Sequence, residues 1–349
     1  MKIAAIATAA GTLVAALAAL GALYFSNRTL SATNEELGLT RRTAQSEQIK
    51  LAAEQLDSDK ESVRLSGIYL IERLAEDSEA DVPDLRRLLE AFVRTQSTSG
   101  PCELPPLESP EKYRELIAPA DIQAALDMIM KYSVLSVYTP RVNIQGACLV
   151  ETALTGANLP GAVLADANLT GAVLENANLT STILDGANLT EAVLTDANLT
   201  GAFLEEVDLP GATLTGADLT GAWLQDANLT GAVLDGATLA GTILTRADLT
   251  GVNLQGMNLS GAGLDSANLT GAVLDGADLS GAISPGVNLS GVSLVDANLS
   301  GAWLDGANLS GAVLTGADLT GAVLTGANTT GIQYDDSTTW PEGFIPPRR

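Results

Sequence analysis

The sequence contains no histidine. That absence removes Ser-His-Asp and Cys-His catalysis, HExxH metal sites and imidazole acid–base chemistry in one step. Cysteine is almost absent as well: Cys102 and Cys148 stand alone, with no CxxC pair. A disulfide framework is therefore not expected, and the redox compartment stays open. No P-loop and no glycine-rich dinucleotide-binding fingerprint occurs. Aromatic residues are 4% of the chain, although hydrophobic residues are 46%. Any core must therefore be built mainly from Leu, Ala and other aliphatics. Basic residues are scarce, 18 Lys and Arg against 42 Asp and Glu, for a net charge of −24. With that balance no direct nucleic-acid binding is expected.

What the chain does have is a strict period. From Ile144, every fifth residue to Leu324 is Leu, except Ile144 itself and Ser284, and no insertion breaks the register. A small residue, usually Ala, sits two before each of these centres, as at Ala147, Ala157 and Ala162. Helices and strands repeat their faces every 3.6 and 2 residues, so neither explains a period of five. A chain that turns a corner every five residues does. Leu and Ala then point inward and the other three positions point out. Gly is common two after the centre, where a tight turn needs positive φ. Pro occurs in the array only at Pro160, Pro210 and Pro285, always one after the centre. Four sides close a square coil of twenty residues. About nine coils at about 4.8 Å each predict a rod about 43 Å long.

The A-N/D-L-x-x units, as in Ala167-Asn168-Leu169-Thr170-Gly171, resemble those of pentapeptide-repeat proteins. The resemblance implies a mainly β fold, a right-handed quadrilateral β-helix. The tail from Tyr334 to Phe344 is similar to the closing segment of bacterial members. Tyr334, Trp340 and Phe344 are its large rings, and Trp340 and Phe344 are big enough to cover the open end of a Leu-lined coil. The segment Ser62–Leu74 also resembles the helical region that precedes the repeats in membrane-anchored actinobacterial members. Four regions are expected: an anchor over 1–27, a helical region with a Pro-rich loop over 28–143, the β-helix over 144–330, and a cap and tail over 331–349.

The N-terminal part reads as helix. Residues Ile3 to Phe25 carry no charge, long enough for a helix to cross a hydrocarbon core of about 30 Å. This predicts a single-pass membrane protein whose membrane partner is residues 3–25. Arg28, Arg41 and Arg42 after the span favour a cytoplasmic body. Ala7, Gly11, Ala15 and Ala19 recur every four residues, a spacing that lets two membrane helices approach and that chance also produces in an Ala-rich span. Helices are further expected over Gln45–Leu56, over Glu61–Glu76, from about Asp81 through Phe92, and over Ile122–Tyr132.

Between Ile144 and Thr330 there are 19 acids and a single base, Arg246. Over about 43 Å this is about one net charge per 2.4 Å, against about 1.7 Å for duplex DNA. Quinolone-resistance members of the family are DNA mimics that bind gyrase, and the resemblance extends to their electrostatics. The plainer reading is that acidic turns keep a Leu-rich rod soluble. A twenty-residue coil places Asp166, Asp185, Glu205, Glu206, Asp226, Asp265 and Asp305 on one corner. Glu175, Asp196, Asp235, Asp275 and Asp296 fall on the opposite corner. Carboxylates stacked this way form a solvated ridge far more readily than a closed metal site, so no metal or cofactor is expected. Convex corners also offer no concave pocket for a paired-carboxylate enzyme, and no enzymatic activity is expected.

One outer face is apolar. Just before the centre, every twenty residues, stand Val163, Ile183, Phe203, Trp223 and Ile243. After Gly263 the same series continues as Ile283, Trp303 and Val323. Strand propensity explains the β-branched members, but not why Phe203, Trp223 and Trp303 share one face. A stripe of this size is expected to be covered by a second copy in a homodimer, by another protein, or by the helical region. The partner protein is not named by the sequence. Ser284, the one polar centre and followed by Pro285, is expected to mark a weak point or local kink.

Overall fold

The computed structural model describes residues 40–97, 102, 119–133 and 141–348, with isolated positions at 28, 35, 36 and 38. Helix α1 runs through 40–56, α2 is Glu61–Asp77, α3 is Val82–Ser97 and α4 is Ala120–Ser133. Their positions follow the apolar spacing: Ile68, Ile71 and Leu74 of α2, and Leu85, Leu89 and Phe92 of α3, are buried together with Ile122, Leu126 and Ile129 of α4. Arg64 of α2 donates to the buried carboxylate of Asp121 at 2.6 Å, tying α2 to the start of α4.

Beyond Val142 the chain forms a four-sided coil. Each side carries one bridging residue, paired in parallel with the residue twenty positions on: Asn143 with Val163, Cys148 with Asn168, Ala153 with Val173, Asn158 with Asn178. The ladder is dense. Leu149 donates its N–H to Asn168 O at 2.7 Å, Glu151 to Thr170 O at 3.0 Å, and Asn168 back to Ala147 O at 2.9 Å. At each corner the fourth residue donates to the first, as Ala172 does to Leu169 at 2.9 Å. The third residue of every corner has positive φ, the conformation of a type II turn. Glycine fills most of these positions; eleven are Asp, Asn, Glu, Ser or Arg246. Asp and Asn tolerate this region better than other side chains.

The interior is filled as the period requires. Nearly every Leu centre from Leu149 to Leu319 is buried, and so are the Ala residues beside them. Where Thr replaces Ala, its hydroxyl finds a carbonyl of the coil: Thr152 donates to Leu149 O and Thr182 to Leu159 O, both at 2.8 Å, and Thr242 donates to Leu219 O at 3.1 Å. No kink occurs at Ser284. Its N–H donates to Trp303 O at 2.8 Å, and the Pro285 carbonyl still accepts from Ser266 at 3.0 Å. The ladder is built of backbone groups, so a small side chain leaves its course unchanged.

The helices hydrogen-bond the first coil on three sides, and a disulfide joins the fourth. Arg94 donates to Asn143 O. Gln123 donates to Ala153 O at 2.8 Å and accepts from Ala153 N at 2.9 Å, taking the place of a missing strand. Ser133 donates to Asn158 O at 3.1 Å. On the remaining side Cys148 is disulfide-bonded to Cys102, with Cα atoms 5.8 Å apart. This corrects the expectation of unpaired cysteines: 46 residues separate them in sequence, and only the fold brings them together. At the far end the ladder continues past 330. Val313 pairs with Gln333 and Asp318 with Thr339, so one extra residue enters the last coil.

The expected membrane localisation is withdrawn. Among the described residues no helix is long and apolar enough to cross a membrane. The charge-free segment 3–25, its proposed membrane contact and its small-residue stripe lie outside the described residues.

Two outcomes check this account. Gly221 has φ +64, and an added Cβ would meet nothing within 4 Å. Gly221→Ala therefore tests the left-handed corner alone and should cost about 1–2 kcal/mol in denaturant unfolding; an unchanged midpoint contradicts it. Ser284 is buried among Leu centres, and Ser284→Leu should stabilise by about 1–2 kcal/mol. A lowered melting temperature for this variant would show that the interior there cannot accept the larger side chain.

Candidate interaction surface

The outer surface is built from the three positions of each pentad that do not point inward. On two of the four faces the bridging residues are mostly Asn and Asp, and their side chains form ladders of their own. Asn178 donates to Asn158 Oδ1 at 2.8 Å, Asn298 to Asp278 Oδ1 at 2.9 Å and Asn328 to Asn308 Oδ1 at 3.1 Å. Oxygens of this series also accept from the next corner: Asp278 Oδ1 from the Ser280 amide at 3.0 Å, Asn308 Oδ1 from the Ser310 amide at 3.2 Å, and Asn178 Oδ1 from the Thr180 amide at 3.2 Å and its hydroxyl at 2.8 Å. Such turn-closing bonds explain why Asn or Asp recurs before Leu and Thr or Ser after it. The sequence period located these residues but did not reveal this job.

The acidic corner assembles as the twenty-residue period places it. Asp166, Glu205, Glu206 and Asp226 are exposed, and Asp185, Asp265 and Asp305 are half-buried. Neighbouring coils touch along it: Asp185 Oδ1 accepts from the Glu205 amide at 2.9 Å. The ridge is interrupted twice, by Thr245-Arg246 and by Pro285-Gly286. Arg246 donates through Nε to Asp226 Oδ1 at 2.7 Å and through Nη2 to Oδ2 at 2.5 Å. This pairing holds the Asp226 carboxyl below its usual range. Asp265 keeps one carboxylate oxygen buried without a hydrogen-bond partner. On the opposite corner Asp275 Oδ1 accepts from Ser293 at 2.5 Å and from the Val295 amide at 3.0 Å. Elsewhere Glu151 is pushed up by burial and by the nearby charge of Glu191. Among the described residues no group of three or more His, Cys, Asp or Glu is placed to hold a metal ion.

The apolar stripe is also assembled on one face, and the described helices do not cover it. Phe203 and Trp223 are 38% and 44% exposed, with ring centroids 5.7 Å apart. Ile283 and Trp303 are 47% and 57% exposed. Val163, Ile183, Ile243 and Val323 are half-buried by their neighbours. The hydrogen bonds from α3 and α4 described above all fall on the first coil, so among the described residues these helices are not the cover for Phe203 to Trp303. At the C-terminal end Tyr334 and Trp340 pack against the Leu interior in a T-shaped pair 5.3 Å apart. Phe344 stacks on Trp340 at 5.2 Å, and the Tyr334 hydroxyl donates to Pro347 O at 2.6 Å.

The square coil and its repeated pentads define a class. The pentapeptide-repeat profile matches in eight copies, among them 147–186, 172–211, 187–226, 212–251, 227–265, 247–283 and 293–328. The chain belongs to the pentapeptide-repeat family, whose repeats imply a right-handed quadrilateral β-helix. None of the curated proteins matches the sequence. Among solved structures, HetL, a pentapeptide-repeat protein involved in heterocyst differentiation regulation from the cyanobacterium Nostoc sp. strain PCC 7120, is similar at 38% identity. The match covers 59% of this chain and 94% of HetL, with a TM-score of 0.31. Rfr23 from the cyanobacterium Cyanothece 51142 is 33% identical over 37% of this chain and 90% of its own, with a TM-score of 0.25. Full-length QnrB1, a plasmid-mediated fluoroquinolone resistance protein, is 20% identical over 56% of this chain and 92% of its own, with a TM-score of 0.37. These matches do not support the expected likeness to membrane-anchored actinobacterial members. The matched family is a structural and interaction family rather than a catalytic one.

Asp318 gives a pH test of the corner chemistry. Hydrogen bonds from the Thr320 hydroxyl, then Thr339 and the Thr320 amide, hold its carboxyl below the usual range. A depressed folded-state value contributes stability above the unfolded value of about 4, and that contribution is lost as pH falls through the folded value. Asp318→Asn keeps an acceptor and loses the charge. In thermal melts the variant should be less stable than wild type at pH 7, and the gap should close by about pH 2. A gap independent of pH contradicts the assignment.

Proposed function

We propose that this chain is a non-enzymatic rod that presents an acidic, convex surface to a protein partner. The observation that carries this reading is the division between inside and outside. The interior is mostly Leu and Ala, whereas charge and large aromatic side chains along the repeats sit at the outer positions. Nineteen acids face one base along the repeats. A field of one sign along a rod speeds encounter with a basic partner and rejects acidic ones. The rings at Tyr334, Trp340 and Phe344 serve this reading as a lid that keeps the rod from joining end to end.

The test is affinity capture with the purified full chain, beside a variant carrying Asp185→Asn, Glu205→Gln, Glu206→Gln and Asp305→Asn. A protein retained by wild type at physiological salt and lost with the variant supports the reading. Retention of no protein, or equal retention by both, contradicts it.

A second reading is an acidic DNA mimic that binds a DNA-binding enzyme such as gyrase. The axial charge density, about one net charge per 2.4 Å against about 1.7 Å for duplex DNA, is the observation that favours it. Adding the purified chain to a gyrase supercoiling reaction separates the two. Inhibition at micromolar chain supports mimicry, and its absence leaves the first reading alone.

A further inference from the structure

The apolar stripe and the acidic ridge are neighbours, and only on one side. Glu205 follows Phe203 by two residues, Asp265 follows Gly263 and Asp305 follows Trp303, so these carboxylates line one long edge of the stripe. The other edge is the preceding corner, which reads Thr200-Gly201, Thr220-Gly221, Ser260-Gly261 and Ser300-Gly301 without a charge. A face that is aromatic along its middle and anionic along one edge matches a ligand that is apolar along one side and cationic along the other. It disfavours a second copy of the same rod, whose ridge carries the same sign.

Gly263 adds an independent observation. It is the one position on the stripe without a side chain. Its φ is not left-handed, and an added Cβ would meet only Ile243 Cα, at an ordinary 3.9 Å. The backbone therefore does not require glycine here, and strand propensity disfavours it. Glycine in such a place marks close approach by a ligand or another chain. The gap it leaves lies between Ile243 and Ile283, about 9.6 Å apart along the rod at the spacing of stacked strands. Trp223 and Trp303 stand on either side beyond them.

We propose that the face from Phe203 to Trp303 docks a basic amphipathic helix of a partner protein, with one bulky apolar side chain seated over Gly263 and Lys or Arg side chains along Glu205, Asp265 and Asp305. The distance from Phe203 to Trp303 is five coils, about 24 Å, which a helix spans in about 16 residues. Trp223 and Trp303 offer their ring faces to the cationic side chains that do not reach the ridge. This inference rests on the reading of the rod as an interaction module and names the face and the chemistry of its partner.

The experiment uses the full chain and a labelled peptide of about 16 residues with Leu on one helical face and Lys on one flank, followed by fluorescence anisotropy. A peptide with Glu in place of Lys, and one with Ser in place of Leu, are the controls. Binding of the Lys–Leu peptide alone is the expected result. Gly263→Val should weaken it at least about tenfold while leaving the melting temperature unchanged or higher, because β-branched side chains suit the strand. Equal binding by wild type and Gly263→Val overturns the proposal. So does tight binding of the Lys–Ser peptide: the rod then attracts by charge alone, and the broader reading as an interaction module survives. Sedimentation of wild type as a dimer that Trp303→Asp dissolves also overturns it, by making the stripe a self-interface. Failure of all peptides, together with no partner in the capture experiment above, defeats both readings.

Discussion

Everything in the rod depends on hydrogen bonds between one coil and the next. Each side of the square contributes a single bridging residue, too short to form a strand that could hold itself. The chain must therefore return to the same place every twenty residues, and each coil is satisfied only by its neighbours. This requirement explains the unbroken period of five, the inward Leu and Ala, and the positive φ at every corner. It also tolerates what happens outside. Ser284, Met257 and the buried threonines alter the filling without moving the ladder, because the ladder is made of backbone. Stacking of this kind has one unsolved place at each end, where N–H and C=O groups meet no further coil. The helical unit answers on three sides at one end with Arg94, Gln123 and Ser133, and on the fourth a disulfide ties Cys148 to Cys102. The shifted last coil with Thr339 and the Tyr334–Trp340–Phe344 rings stands at the other.

Function follows from the same constraint. A scaffold whose backbone ladder repeats from coil to coil places outward residues at regular spacings, so ridges and stripes arise from sequence alone. Charge gathers on corners, β-branched and aromatic residues gather on one pair of faces, and Asn and Asp ladders occupy the other pair. The surface is thus a set of parallel lines of distinct chemistry about 4.8 Å per step. Such a surface suits an elongated partner better than a compact small molecule, which needs a concave site.

The rod was legible in the sequence because its signal is a period, repeated with one polar exception among its centres. The acidic corner and the apolar stripe followed from the same arithmetic, and Asp166, Glu205, Trp223 and Trp303 fall where the twenty-residue coil sends them. The α-helices were legible from their apolar spacing, with Pro83 marking the start of α3, although α1 begins before the expected Gln45. What the sequence concealed is what does not repeat. Nothing about Gln123 marks it as a substitute strand. Cys102 and Cys148 carry no spacing motif, and their pairing depends on how a loop meets the first coil. The extra residue before Thr339 looks like tail sequence until its pairing with Asp318 is seen. The register sets Gly263 apart from the corner glycines as a gap in a series, and its backbone angles show that the fold does not require glycine there. The expected membrane span failed differently: the segment that prompted it lies outside the described residues, and no other helix among those described can replace it.

The central claim is that this is one continuous ladder held closed at its N-terminal end by the helical unit. Native-state amide hydrogen exchange reads that directly. The amides of Leu149, Ala153 and Leu154 in the first coil should exchange as slowly as those of Leu224 and Leu229 in the middle of the rod. Exchange that grows steadily faster from the middle toward Ala153 would show a fraying first coil and contradict the account.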